Sequence, residues 1–409
     1  MYKTQQQQIR KLNKEQYELL HKLCYHSARL YNYCLFLTKK QWDETHTFLR
    51  YETGYFTFKE NDNYKILPSA PAQQTCKLVE RSFKSYLSLL KLATEGGYVN
   101  PISSPNFLPK KSCFTLIVPR NGFQIKNGKI HIGISLELKR ETGMKNLVLN
   151  FPKNIDQTRA IKELRIHPKH RARYFVLDVV YEVVEEKKLK KDRIISVDLG
   201  LNNLATCFDG NRAFIIDGRK IKGINYCYNK MRSKLQSAQN KEDKRETHRL
   251  FLMTRKRNRR IKDYMRKAAN KIMNYVLQNE IGTIVVGHNK GWKDKINIGK
   301  INNQNFVQVP FGLLMSCLNN KCKECGINYK EVIESHTSKC SFLDNESIKH
   351  HDKYVGKRVK RGLFRSANGI LINADVNGAA NIGRKVTASD CLTVEQVKGI
   401  VAYPVRIIA

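Results

Sequence analysis

Two aspartates in this chain have the type and setting that metal-assisted phosphodiester chemistry requires. Asp198 closes the apolar run of "IISVDLG", and Asp375 follows a short apolar run in "INADVNGAANI". Carboxylates brought together at strand and helix ends hold hard Mg2+ ions, and two such ions activate a water and stabilise a leaving 3′ oxygen. Either aspartate alone also fits a turn or a helix cap, so the reading rests on finding both in one basic domain. Gly378, Ala379 and Ala380, just after Asp375, let a helix lie close against a sheet. Another position stands out for what it lacks. The strand-like "IGTIVV" runs into "VVGHNKGW", which offers Gly287, His288 and Asn289 where a nucleic-acid-cutting site is expected to place an acid.

The elements that must position these residues are legible in part. "KEQYELLHKLCYHSARLYNYCLFL" (14–37) puts Leu19, Leu20, Leu23, Leu30 and Tyr31 at helical spacings, and a second helix is expected from Pro71 to Leu92. From Gly97 to Glu186 the texture changes to short β-type runs, one pair joined by the hairpin turn Asn127-Gly128. These runs predict a small β-barrel with the helical block inserted near its start. The charged stretch "EEKKLKKDR" (185–193) marks a boundary. Beyond it, "IISVDLGLNNLATCF" predicts an antiparallel hairpin, and 226–280 a long basic helical pattern. The strand at "IGTIVV", a helix over Val309–Cys325, the strand "YKEVIE", an irregular basic segment and the Asp375 stretch follow. Strands alternating with helices make this half α/β.

The charge narrows the partners. The 409 residues carry 74 Lys and Arg against 36 Asp and Glu, a net charge of +38. That excess points to a polyanion, with nucleic acid foremost. Arg255, Lys256, Arg257, Arg259, Arg260, Lys262, Arg266 and Lys267 all fall in the long helical pattern, as either a phosphate-tracking surface or a solvated helix face. No apolar stretch approaches the roughly 20 residues that span a bilayer. With a polar opening and eleven scattered cysteines, the expectation is a cytoplasmic protein with free thiols and no membrane partner.

"ISVDLGLNNLAT", "TSKC" and "NADVNGAANI" resemble the three RuvC segments of the TnpB family, the OrfB-type proteins of bacterial insertion sequences related to type V CRISPR effectors. "LYNY" and "LPSAPAQQTCKLVERSFKSY" resemble that family's N-terminal region, so the likeness extends over nearly the whole chain. It implies an α+β multidomain protein: a WED-like β-barrel with a REC-like helical insert, then an RNase H-like α/β RuvC domain. The expected divisions are 1–12 (first barrel strand), 13–95 (helical insert), 96–190 (barrel), 191–385 (RuvC, with basic helices 226–280 and a target-strand-loading insert at about 340–370) and 386–409 (C-terminal tail).

The resemblance implies an RNA-guided, Mg2+-dependent DNA endonuclease, a monomer that pairs an omega-type guide RNA with a double-stranded DNA target and is nucleoid-associated when bound. Asp198 matches the family's first acid and Asp375 its third. Many relatives have Glu where Gly287 stands here, while a subset carries it on the next strand, which matches Glu334 in "KEVIESHTSKCS". Two readings stay open: Glu334 is the relocated metal ligand, or it is an exposed strand-end charge on a cleavage-dead guided repressor. A strand-transfer transposase is a further alternative, but no separate DNA-binding domain is legible.

Relatives use the helical insert to read a motif beside the target. The matching stretch supplies Gln73, Gln74, Thr75 and Lys77, with Gln suited to base edges and Lys to phosphate. Arg255, Arg259, Arg260, Lys262 and Arg266 are expected on the guide–target duplex. Tyr31 and Tyr33 suit either base stacking or the core. Relatives also carry paired CxxC motifs for zinc. Here only Cys340 lies in the corresponding window, and "CKEC" (Cys322, Cys325) falls earlier, at a helix end, so no zinc is expected. "VGKRVKRGLFRSANG", with Arg361, is expected to form a zinc-free basic flap that guides the strand.

Overall fold

The computed structural model describes residues 1–98, 100–156, 158–184, 192–241, 247–289, 299–360, 362–386 and 404–409. The chain divides into two units, Met1–Val184 and Glu185–Ala409.

In the first unit, β1 (Tyr2–Gln8) leads into α1 (Lys14–Thr45), followed by α2 (Tyr51–Lys59), α3 (Asp62–Ile66) and α4 (Ser69–Thr94). Asn13 and Gln16 form a reciprocal capping box that starts α1. Its apolar stripe is buried as the spacing predicts, Tyr31 included, and Tyr33 packs partly against the same core. Then come β2 (Leu116–Pro119), β3 (Phe123–Lys126), β4 (Lys129–Gly133), α5 (Leu136–Thr142), β5 (Asn146–Asn150), β6 (Ile161–Lys169) and β7 (Tyr174–Glu182). Asn127 and Gly128 both take positive φ, the requirement of the tight hairpin turn between β3 and β4. The strands form two antiparallel sheets, β1-β7-β6-β2 and β3-β4-β5, and among the described residues neither sheet closes into a barrel.

The second unit holds β8 (Ile194–Leu199), β9 (Asn203–Phe208), β10 (Ala213–Asp217), α6 (Arg219–Lys241), α7 (His248–Gln278), β11 (Thr283–Gly287), α8 (Lys300–Val307), α9 (Phe311–Glu324), β12 (Asn328–Val332), β13 (Lys357–Lys360), β14 (Leu363–Arg365), β15 (Leu371–Asn373), α10 (Ala374–Arg384) and β16 (Val405–Ile407). Its sheet runs β12-β11-β8-β9-β10-β16, with β12, β11 and β8 parallel and β8, β9 and β10 antiparallel. Alternation of side chains gives the sheet two working faces. Ile195, Val197, Ile284 and Val286 pack with apolar residues of α7 and α9, while α10 packs on the opposite face, against Asp198 and Gly287.

The basic helices expected over 226–280 correspond to α6, which already starts at Arg219, and α7. Two expectations need correcting. The basic segment expected to be irregular is a small antiparallel sheet, β13-β14-β15, in which Phe364 and Ile372 are buried. The segment expected to be a tail ends in β16, which joins the large sheet as its edge strand in parallel to β10. Short strands of mixed polarity carry no clear period-2 signal, so neither was legible. Among the described residues no helix is long and apolar enough to cross a membrane.

Candidate active site

β8 and β11 are neighbouring parallel strands with Val197 opposite Val286, so Asp198 and Gly287 follow at the same level. Both face α10, and α10 approaches closely because its residues there are small. A β-carbon at Gly378 would stand 2.7 Å from Asp198 Oδ2. At Gly287 the space a side chain would fill is taken by Glu334 and Ile382.

Glu334 reaches this position from just past β12. Gly287 pairs with Val332, two residues before Glu334. Glu334 is not the strand end that its sequence suggests: β12 stops at Val332, and the backbone then turns. The Glu334 N–H donates to Asn289 Oδ1 at 2.9 Å, and its carbonyl accepts from the Thr337 hydroxyl at 2.9 Å. Two buried amides on α10 hold the following segment. Asn381 Nδ2 donates to the carbonyls of Thr337 and Cys340, while Asn377 donates to the Cys340 carbonyl and accepts from the Phe342 N–H. Lys385 Nζ donates to the carbonyls of Ile333 and Ser335, on either side of the glutamate.

Asp375 lies in the first turn of α10, whose N-cap is Asn373; the Asn373 side chain accepts from the Asp375 and Val376 N–H groups. Asp375 Oδ2 accepts from Asn203 Nδ2, and Arg358 Nη2 stands 3.7 Å from its Oδ1.

The electrostatics connect the three acids. Burial, then the charges of Glu334 and Asp375, push the Asp198 carboxyl well above its ordinary range, against the opposing pull of Arg358. Burial raises Glu334 from 4.5 to about 7, with Lys385 pulling the other way. Glu334 Oε1 is inaccessible and has no hydrogen-bond partner among the described residues. Among those residues no group of three His, Cys, Asp or Glu side chains is drawn together tightly enough to hold an ion. An orphaned carboxylate oxygen on Glu334, with Asp198 raised by the charges of both Glu334 and Asp375, is nevertheless a setting that a hard cation satisfies, by supplying a partner and relieving the repulsion.

Comparison with known proteins gives two segment matches, nearly all within this unit. Residues 178–293 match the OrfB_IS605 family, described as a probable transposase, and residues 311–382 match the Cas12f1-like TNB domain. These two matches support a TnpB-like relative of type V effectors. No curated protein matches it. Among solved structures, it resembles a cryo-EM Cas12f1–sgRNA–target DNA complex at 16% identity and a TM-score of 0.61, covering 90% of this chain and 83% of that one. The mini-RNA-guided endonuclease CRISPR-Cas phi3 matches at 11% identity and a TM-score of 0.49, over 96% and 93% of the two chains. The likeness to the Cas12f1 structure is one of fold: an α+β multidomain architecture.

The residues expected to bind nucleic acid are placed differently from one another in this TnpB-like chain. On α4, Thr75 is buried, and its hydroxyl donates to the Pro71 carbonyl and meets Ser27, so it does not face a groove. Gln73 lies beside Tyr64, Gln74 accepts from Arg81, and Lys77 lies over the Tyr51 ring. On α7, Arg259, Arg260 and Arg266 are exposed, Lys262 is half-buried, and Arg255 lies over Phe251. Arg361 falls outside the described residues. Cys322 is buried at the end of α9, and its thiol contacts Met273. Sequence reasoning missed Asn203, Arg358, Asn377, Asn381 and Lys385. The paired Asn377 and Asn381, one helical turn apart in an otherwise small and apolar stretch, were a usable signal.

Proposed function

We propose that the chain is an RNA-guided DNA endonuclease of the insertion-sequence type, with an RNase H-like RuvC site formed by Asp198, Glu334 and Asp375. The observation that carries this reading is the Glu334 carboxylate, seated in the space left by Gly287 and beside Asp198. A glutamate from just past the neighbouring strand β12 fills the space at the position where an acid is missing. The three carboxylates would hold Mg2+, which when bound supplies an activated water and stabilises charge on the leaving 3′ oxygen. Asn203 and Arg358 hold the Asp375 carboxylate, and Lys385 draws the Glu334 backbone toward α10. The exposed arginines of α7 suit the backbone of a guide–target duplex, leaving sequence choice to base pairing. The Cas12f1 structure of similar fold, a complex with sgRNA and target DNA, supports both partners. The WED-like and REC-like roles of the first unit belong to the same proposal.

A second reading, a guided binder that does not cut, is favoured by the loose spacing of the acids among the described residues. Cleavage of guide-matched plasmid in Mg2+, with protein co-expressed with its flanking RNA, separates the two. Wild type is expected to cut, with Glu334→Gln and Asp198→Asn binding the target but leaving it intact. Target binding without cleavage by the wild type establishes the second reading.

A further inference from the structure

The edge strand β16 contributes a side chain that the roles of the three acids leave unexplained. Arg406 donates through Nη2 to Asn203 Oδ1 at 2.8 Å, and its Nη1 lies 3.7 Å from Asp217. Asp217 is almost wholly buried and also accepts from Nε and Nη2 of Arg219, so it is a fixed anion that anchors Arg406. Asn203 then donates through Nδ2 to Asp375 Oδ2. Arg219, Arg358, Asn203, Asp375 and Arg406 all line one cavity of about 380 Å3.

The chemistry of this chain of contacts has a direction. A guanidinium only donates, whereas a primary amide accepts on one side and donates on the other. With Arg406 on its oxygen, Asn203 must turn its NH2 toward Asp375. Without Arg406 the amide oxygen loses its charged donor, and only the pull of Asp375 on the NH2 would hold the amide against the flipped, repulsive orientation. Partners that hydrogen-bond a ligating carboxylate fix its orientation and so tune the affinity of a metal site.

We propose that Arg406 is a positioning residue which, by locking the Asn203 amide, orients Asp375 toward a divalent cation, so that the C-terminal strand completes the site. This rests on the reading of Asp198, Glu334 and Asp375 as cation ligands.

The test uses the RNA-free full-length chain and the Mn2+ ion, with loss of the free-ion electron paramagnetic resonance signal as the readout. Removing a positive charge near the site would, by Coulomb's law alone, tighten cation binding. Positioning demands the opposite: Arg406→Met and Asn203→Leu each weaken Mn2+ binding by roughly tenfold to a hundredfold. The double variant is expected to be no weaker than either single one, and Arg406→Lys, which keeps a donor, to recover part of the loss. Thermal unfolding without cation reports folding damage separately, and Asn203→Leu carries the test if Arg406→Met does not fold. Unchanged or tighter binding by Arg406→Met, or additive losses in the double variant, overturns the relay while Asp375→Asn still abolishes binding. Wild-type affinity in Asp375→Asn instead overturns the cation-site reading itself, and the proposal with it.

Discussion

Glu334 lies over Gly287 so closely that a β-carbon there would stand 2.5 Å from its Oε1. A side chain on β11 would therefore meet the Glu334 side chain and Ile382 where they now lie, and they would have to move to make room. Gly287 has no positive φ that would require glycine, so its role is to leave space. An absent side chain and a displaced acid are one structural feature.

Exchanging the two positions tests this directly. Gly287→Ala alone is expected to push Glu334 out of register, and a displacement on the order of 1 Å costs roughly a hundredfold in cleavage rate. In Gly287→Glu combined with Glu334→Ala, the clash with Glu334 disappears, although Ile382 still crowds the site. Adding Ile382→Val is expected to raise cleavage above that of Glu334→Ala. Rates on guide-matched DNA for the four variants check it, and a Gly287→Ala protein that cuts like wild type sinks the idea.

The raised carboxyl of Glu334 makes the cation-free protein sensitive to pH. Its folded-state value of about 7 lies above the ordinary 4.5, so the folded chain retains a proton that the unfolded chain releases. The stability that this proton confers is fully present below about 4.5 and is lost as pH rises to about 7. In EDTA, Glu334→Gln is expected to gain on wild type across this window, by at most about 3 kcal/mol. Asp198, raised by burial and its acidic neighbours, leaves a residual slope of the same sign. Urea unfolding midpoints at pH 5 and pH 8 for both proteins measure it. Added Mg2+ is expected to stabilise wild type more at the higher pH, where the carboxylates are ionised.

How much of this was legible in the sequence differs from element to element. The α1 stripe, the β8–β9 hairpin and the Asn127-Gly128 turn follow from periodicity and turn chemistry, which act locally. Asp198 and Asp375 could be picked out because each ends an apolar run. That Glu334 occupies the Gly287 space could not be read from spacing, because it depends on parallel pairing of β11 with β12. Thr75 illustrates the converse. Its polarity suited a groove, but its position on α4 turns it toward the core, where main-chain and side-chain oxygens satisfy it. Arg406 gave no sequence signal at all, because its meaning comes from β16 joining the sheet beside β10.

The arginines of α7 separate into two kinds, and substitution is expected to distinguish them. Arg257 donates from Nε and Nη2 to Asn225 Oδ1, reaches the Gln308 carbonyl and lies over the Tyr228 ring. Arg257→Ala is expected to lower stability by roughly 1–3 kcal/mol, since it strands buried acceptors. Arg260 and Arg266 are exposed, so Arg260→Ala and Arg266→Ala are expected to leave the unfolding midpoint in place. Each lost phosphate contact instead lowers the salt dependence of nucleic-acid binding by about one unit in log–log slope. Binding titrations from low to high KCl, beside thermal unfolding, read both effects. Arg260 and Arg266 variants with an unchanged slope would remove α7 from the nucleic-acid surface.

The two buried amides of α10 link the stability of the fold to the position of the catalytic candidate. Asn377 and Asn381 are fully buried, and between them they satisfy the Thr337 and Cys340 carbonyls and the Phe342 N–H. Leucine is close to asparagine in size but can pair with none of these groups. Each buried polar group left without a partner costs about 1–3 kcal/mol, so Asn381→Leu, which strands part of two carbonyls, is expected to shift the urea midpoint clearly. The effect on function should exceed the effect on stability. Thr337 also holds the Glu334 carbonyl, so loosening the 337–342 segment frees the turn that carries the acid. Under conditions where Asn381→Leu remains folded, it should bind target DNA normally yet cut it more slowly than wild type. Asn381→Asp, which can place an oxygen but no N–H donor opposite the Thr337 carbonyl, should be no better. If Asn381→Leu loses stability while folded molecules cut at the wild-type rate, α10 supports the fold without setting the position of Glu334.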